Sequence, residues 1–412
     1  MNRYFFSFII LIAGCATPPS SISPSELNTI PSPPKGKVGL DVLLEERQDL
    51  IIGKTIGLVT NHTGVDQNGT PNYDRILEMN GVDLKIIFSP EHGLFGESAA
   101  GEKVYYNGQI KTLPTVVSLY GKNRKPTPEQ MRGLDVILYD IQDVGARFYT
   151  YISTMGLVME AAAESGVEVI ILDRPNPITG TKVEGPILNL THQSFVGKYP
   201  IQIRYVLTAG ELAQMIIGEK WINNIPRIDV VLADGWNRTQ WQDETHLPWV
   251  KPSPNIPDIE TAIIYPGMCL LEATNVNEGR GTQKPFKRFG APWILKENLA
   301  ESLNNNHLPG VRFTAVSFIP TDLEGMANNP KYENQVCHGI EIQITDRNTY
   351  NSVATGITVI ETLQRLYPNK FEIKTSGMNR LWGINDHDFS NYNEGKESQY
   401  FKKKAEGYYL YE

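Results

Sequence analysis

The sequence predicts an α/β fold, with a mostly parallel sheet covered by helices on both faces and a smaller α+β domain after it. Three observations carry this. Apolar runs of strand length alternate with helix-length segments through the first half of the chain. Several of those runs are apolar throughout, as strands buried on both faces are. A stretch dense in Pro and Trp then breaks the alternation, and 412 residues exceed one typical core.

In order, the strand candidates of the first half are Thr55–Thr60, Leu84–Phe88, Thr115–Leu119, Val136–Asp140, Val167–Leu172 and Asp229–Leu232. The helix candidates are Leu40–Gln48, Tyr73–Met79, Ile152–Glu164 and Ala209–Trp221. In the last of these Leu212, Met215, Ile216 and Ile217 form an apolar stripe, and Thr208 with Glu211 three residues on reads as a capping box. Residues 236–257 hold Trp236, Trp241 and Trp249 among four prolines and read as an irregular connection between domains 37–235 and 258–412. The second half mixes strands (Thr261–Tyr265, Arg312–Phe318, Gly339–Thr345) with helices (Pro292–Asn304, Tyr350–Leu366).

The N-terminus predicts location. Arg3 precedes the apolar Tyr4–Ala13, too short for a comfortable bilayer span, so residues 1–14 read as a secretory signal. Ile12-Ala13-Gly14-Cys15 looks like a bacterial lipobox, with Cys15 acylated; an ordinary cleaved signal is the plainer alternative. Residues 15–36, rich in Pro and Ser, read as a tether. The expectation is a lipoprotein of the bacterial cell envelope, anchored to a membrane and facing the periplasm. Only Cys269 and Cys337 remain, and an oxidising compartment permits but does not demand a bridge between them. The net charge is −8, without a Lys/Arg run, which argues against a nucleic-acid partner.

Absent motifs narrow the chemistry. Position 48 is Gln, so the first P-loop glycine is missing. No Gly-x-Gly-x-x-Gly follows the first strand, and there is no Gly-x-Ser-x-Gly elbow, no His-Glu-x-x-His and no Cys-x-x-Cys. Asp386-His387-Asp388 reads as a solvated loop or helix start rather than a metal site, because ligands adjacent in sequence seldom converge on one ion.

What remains is at the strand ends. The second strand runs into Ser89-Pro90-Glu91-His92-Gly93, where Pro90 ends the ladder and Gly93 permits a sharp turn. The first ends in Asn61-His62-Thr63-Gly64. The fourth leads into Asp140-Ile141-Gln142-Asp143-Val144-Gly145-Ala146-Arg147-Phe148-Tyr149-Thr150-Tyr151, and the fifth into Asp173-Arg174-Pro175-Asn176-Pro177. In a parallel sheet all four tails meet at the carboxyl rim, where such sheets bind ligands. Amides and arginines there suit sugar hydroxyls and a carboxylate, and Tyr149 or Tyr151 could stack on a ring face. Each tail also has a structural reading: Asn61 as a turn or cap, Asp143 with Arg147 as an i,i+4 ion pair, Arg174-Pro175-Asn176-Pro177 as a rigid turn. From the second half Glu272, Asn275 and Arg280 could close the cleft, or belong to a Gly-rich surface loop.

These motifs, with Ala100-Gly101-Glu102, Ser194-Phe195-Val196-Gly197 and Gly290-Ala291-Pro292-Trp293, resemble the NamZ-type exo-β-N-acetylmuramidases, formerly a domain of unknown function. The resemblance spans Val38 to Tyr411. It implies a Rossmann-like N-terminal domain, a smaller C-terminal domain, and an active site between them that releases N-acetylmuramic acid from the non-reducing end of peptidoglycan fragments. It carries Glu91 over as catalytic. Where the family commonly reads Arg-His-Gly-Met-Thr, this chain has Arg204-Tyr205-Val206-Leu207-Thr208, and Asn277-Glu278 replaces the commoner Ser-Val.

Glycoside cleavage needs a proton for the leaving oxygen and a second group at the oxocarbenium-like carbon. The expected general acid is Glu91, desolvated in a closed cleft. His92 is expected to face substrate or backbone. Asp143 is the expected second carboxylate, with Glu272 behind it, and Arg147 or Arg174 is expected to pair with the muramic lactyl carboxylate. Asn61, His62, Gln142, Tyr149, Tyr151, Asn176, Asn275 and Arg280 complete the expected binding set. No metal, nucleotide or other cofactor is required. The rival readings are a non-catalytic surface lipoprotein, with the Trp-rich connection as a ligand platform, and a hydrolase of another bond.

Overall fold

The computed structural model describes residue 1, residues 36–99, residue 102, residues 113–385, residue 389 and residues 394–412. All but the first residue of the expected signal, Cys15, most of the expected tether, Ala100, Gly101 and Asp386-His387-Asp388 lie outside the described residues. Lys35–Glu412 packs as one compact unit.

Six strands form one wholly parallel sheet: β1 Thr55–Thr60, β2 Asp83–Ser89, β3 Thr115–Ser118, β4 Val136–Asp140, β5 Glu168–Leu172 and β6 Ile228–Val231. Their order is β3-β2-β1-β4-β5-β6. The order reverses between β1 and β4, the switch point at which doubly wound sheets open a crevice outside the strand carboxyl ends. Alternate residues serve opposite faces. Leu58, Ile87, Leu138 and Ile170 pack under α1 (Gly39–Glu46) and α2 (Asn72–Leu77). Val59, Phe88, Tyr139 and Ile171 pack under α4 (Tyr151–Ser165) and α5 (Ala209–Gly218), while α3 (Pro128–Met131) precedes β4. The expected box at α5 is present: Glu211 N donates to Thr208 Oγ1 at 3.2 Å and Thr208 N to Glu211 Oε2 at 3.0 Å.

The second half contains α6 Ile259–Met268, β7 Arg288–Ala291, α7 Lys296–Asn304, β8 Val311–Phe318, β9 Cys337–Ile344, α8 Ser352–Leu366, α9 Thr375–Trp382 and α10 Glu394–Ala405. Its antiparallel sheet has the order β7-β9-β8. The apolar core that begins under α4 continues without a break through Tyr265, Phe289, Ile340 and Ile360.

One element differs from expectation. Thr261–Tyr265 is not a strand but the middle of α6. Asp258 caps it, accepting from Thr261 N at 2.8 Å. A short run buried on every side has no polar face, so its period does not separate helix from strand. Gly267 and Gly356 let α6 and α8 cross with backbones touching; a Cβ on Gly267 would lie 1.8 Å from Ser352 O.

The chain also folds back on its first half. Tyr411 Oη donates to Asp173 Oδ2 at 2.8 Å, just beyond β5, and Arg238 lies over the Tyr409 ring at 3.4 Å.

Candidate active site

Beyond β2 the chain turns through Pro90-Glu91-His92-Gly93, with Gly93 N donating to Pro90 O at 3.2 Å. His92 is left-handed, φ 70°, and so is Gly93, φ 77°. A non-glycine residue held there is strained, and strain of this kind collects at functional sites. His92 Nδ1 lies 2.8 Å from Ser98 O, so the ring does face backbone, and burial keeps the imidazole below its ordinary pKa. Farther along the same loop, Gly96 passes so close to His62 that a Cβ would lie 2.3 Å from its ring.

Glu91 is 8% exposed. Thr150, the residue before α4, donates its hydroxyl to Glu91 Oε2 at 2.7 Å. Burial and the Glu91 carboxylate together raise the pKa of the Tyr120 phenol, just past β3. Neither Tyr120 nor Thr150 was singled out by sequence, although Thr150 stands inside a strand-end motif.

Glu91 and His92 open onto a cavity of about 560 Å³ that the second half of the chain completes. Phe148 and Tyr149 form one apolar side, with Tyr265 and Phe286 beyond them; Tyr265 meets Phe148 and Phe286 edge-on at 5.3 and 4.9 Å. Glu272 and Arg280 supply the facing charges. Arg280 Nη2 donates to Glu272 Oε1 at 2.7 Å, and Nε lies 3.4 Å from Glu278 Oε1; Nη1 makes no hydrogen bond among the described residues. Burial alone would weaken the guanidinium's hold on its proton, but Glu272 and Glu278 outweigh burial and raise its pKa. Cys269 also faces the cavity as a free thiol; Cys337 is free as well, so the two do not pair.

Other expected site residues lie elsewhere. Arg147 is fully buried, its Nη1 donating to Pro186 O and Ile201 O at 2.6 and 2.8 Å, its Nη2 to Leu381 O and Trp382 O at 2.8 and 2.9 Å. It ties two loops to the end of α9 and forms no ion pair with Asp143. Arg174 forms a buried ion pair with Asp140 at 2.6 Å and donates to Val65 O at 2.7 Å. Asn176 donates to Tyr205 O and Leu207 O. Asn61 donates to Tyr151 Oη at 2.8 Å, and Tyr151 to Pro252 O at 2.7 Å; both are fully buried, so Tyr151 offers no ring face. Gln142 bonds to the Asp143 and Pro175 carbonyls. His62 Nε2 lies 2.8 Å from Lys251 O, and Asn275 spans Lys370 O and Glu372 N. None of these lines the cavity.

Asp143 does not line it either. Its Oδ2 accepts from Gly145 N at 2.7 Å and from the Tyr205 phenol. Tyr205, the departure from the family pattern, thus serves Asp143. Burial raises the Asp143 pKa to about 6, from an ordinary 3.8, against the lowering effect of those donors. Between these values the folded chain holds a proton that the unfolded chain has lost, so this group favours folding less as pH rises from about 4 to 6. His62 and His92, lowered by burial, act with the opposite sign, so the test is a difference. Asp143→Asn, which keeps an acceptor for both donors, should gain more melting temperature over wild type at pH 7.5 than at pH 5. An equal gain at both would contradict a buried, proton-holding Asp143.

The tryptophans of 236–257 are not a platform. Trp236 packs on Tyr411 at 5.0 Å, Trp241 lies beneath Arg204 and Arg347, and Trp249 donates to Pro257 O at 3.1 Å. The same stretch does reach the cavity through Ser253, Asn255 and Ile256, which sequence missed. Among the described residues no group of three His, Cys, Asp or Glu side chains could hold a metal ion.

Comparison with known proteins gives consistent matches. Residues 56–260 match the family described as exo-beta-N-acetylmuramidase NamZ, N-terminal, and residues 263–411 its C-terminal counterpart. The peptidoglycan beta-N-acetylmuramidase NamZ of Bacillus subtilis (strain 168) is 43% identical over 379 residues, covering 92% of this chain and 89% of that relative. A crystal structure of a DUF1343 family protein from Bacteroides fragilis NCTC 9343 superposes with a TM-score of 0.83 at 36% identity, covering 92% of this chain and 99% of that one. A second from the same strain gives 0.73 at 29% identity with the same coverage.

Proposed function

The chain belongs to the NamZ exo-β-N-acetylmuramidase family and is a glycosidase; from that premise we propose that it releases terminal N-acetylmuramic acid from the non-reducing end of peptidoglycan fragments. The observation that supports this best is one cavity shared by Glu91 from the parallel-sheet rim and Glu272 with Arg280 from the second half.

In this reading Glu91 is the general acid. Its carboxyl proton passes to the glycosidic oxygen as the C1–O bond breaks, and water then adds hydroxide to C1 and returns a proton to Glu91. Glu272 faces the same cavity and takes the second carboxylate role in place of Asp143. The aromatic side packs the sugar's apolar face. Arg280 keeps one guanidinium edge for the lactyl carboxylate, a group that N-acetylglucosamine lacks. Outside the described residues, Cys15 carries the lipid that holds the enzyme at the envelope membrane.

The test compares an aryl N-acetylmuraminide with the matching N-acetylglucosaminide. Wild type should prefer the muraminide. Arg280→Gln should cut kcat/KM for the muraminide by about 10- to 100-fold and the glucosaminide far less. Equal losses would remove Arg280 from selectivity, and no wild-type turnover of the muraminide would remove the proposed reaction.

A further inference from the structure

Residues 277–288 form a closed loop of the compact kind whose ends meet. At its neck Asn277 and Gly290 exchange two backbone hydrogen bonds, each 2.9 Å, and Phe286 N donates across it to Glu278 O at 2.7 Å. Side chains fix it from inside: Asn277 Oδ1 accepts from Gly279 N and Thr282 Oγ1 donates to Gly279 O, both at 2.7 Å. The loop brings Arg280 and Phe286 to the cavity wall.

Its backbone is left-handed three times. Two of these positions are glycines, Gly279 at φ 84° and Gly281 at φ 80°. The third is Phe286, φ 59°, and Lys287 N donates past it to Pro285 O at 2.7 Å. A three-residue turn of that hand is rare and strained, and a bulky residue at its centre is a true outlier. Glycine would relieve the strain, so the ring supplies what glycine lacks. Part of that is packing, since Phe286 is buried against Tyr265. The rest is charge: Arg280 Cζ lies over the ring, 5.2 Å from its centroid, within the range of a cation–π contact.

Glu278 and Glu272 grip Arg280 at Nε and Nη2, two edges of a planar fork. Contacts at the edges leave the plane free to tilt. A ring against the face removes that freedom.

We propose that Phe286 is a positioning residue whose strained turn holds its ring against Arg280, and so fixes the guanidinium edge that takes the lactyl carboxylate. This rests on the role of Arg280 in the reaction proposed above and adds the residue that orients it. Strain held in the free protein spares the substrate the cost of ordering the cation when it binds.

The test is a double-mutant cycle, read as the ratio of kcat/KM for the aryl N-acetylmuraminide to that for the matching glucosaminide. Phe286→Leu keeps apolar bulk and removes the ring. It should lower the ratio about three- to thirtyfold, chiefly through KM for the muraminide, and leave the glucosaminide within about twofold. Trifluorophenylalanine in place of Phe286 keeps the ring's shape but drains its negative face, and should lower the ratio about twofold or more. It carries the test even if the leucine variant does not fold. In an Arg280→Gln background neither change should lower the ratio further. A wild-type ratio with the fluorinated ring, or an equal fall with and without Arg280, overturns the positioning role and leaves the reaction standing. Arg280→Gln with the wild-type preference overturns the role of Arg280 and this proposal with it, and a wild-type protein inert on the muraminide overturns the reaction itself.

Discussion

Glu91→Gln is expected to slow turnover of an aryl N-acetylmuraminide by about a thousandfold, within the range that general acid catalysis supplies. The amide is the same size as the carboxyl and keeps an oxygen for the Thr150 hydroxyl, which now donates to Oε2 at 2.7 Å. In the proposed mechanism, what it lacks is a proton for the departing oxygen. The melting temperature should therefore stay within a few degrees of wild type, and KM should move much less than kcat. Near-normal turnover would take Glu91 out of the mechanism. An aglycone of low pKa, which departs without protonation, should recover part of the loss, and failure to do so would point to a collapsed cavity instead.

Arg147→Ala has the other large expected effect, on folding rather than selectivity. The change takes the arginine donor from the carbonyls of Pro186, Leu381 and Trp382, leaves Ile201 O with Leu188 N alone, and empties a fully buried guanidinium's volume. Removing one side of such a buried charged network costs about 3–5 kcal/mol. Denaturant melts should show that loss, and activity on muraminide and glucosaminide should fall together with the folded fraction. A stable variant that loses only muraminide turnover would restore Arg147 to substrate recognition. Arg280→Gln should behave in the opposite way, changing the preference in a folded protein.

The fold was readable because each first-half strand is an apolar run bounded by turn residues, and because that alternation has few compact solutions. Thr261–Tyr265 failed for the same physics: total burial erases the period that tells helix from strand. Of the residues expected at the candidate site, Glu91, Glu272 and Arg280 do line the cavity, but the sequence did not tell which of the other rim residues face it. Asn61, Arg174 and Asn176 turn inward because the rim is itself irregular backbone, whose carbonyls and amides must be bonded when buried. A polar residue at a strand end looks the same in sequence whether it satisfies its own backbone or a ligand. The opposite error hid Ser253 and Asn255, which stand between prolines in a segment whose tryptophans alone were weighed as ligand contacts. Lys251-Pro252-Ser253-Pro254-Asn255, a stiffened polar turn, was the signal available.

The bond from Tyr411 to Asp173 has a consequence in time. Asp173 is fully buried, with its other donors at Thr208 and Gly210, and its last donor is 238 residues further along the chain. On a ribosome, β1 to β6 emerge long before the tyrosine that closes their rim. Closing so long a loop is entropically slow, and pairings of such separation set the pace of folding. Tyr411 thus adds the last donor to a carboxylate that Thr208 and Gly210 already hold, and it fastens the end of the described chain to the rim of the parallel sheet.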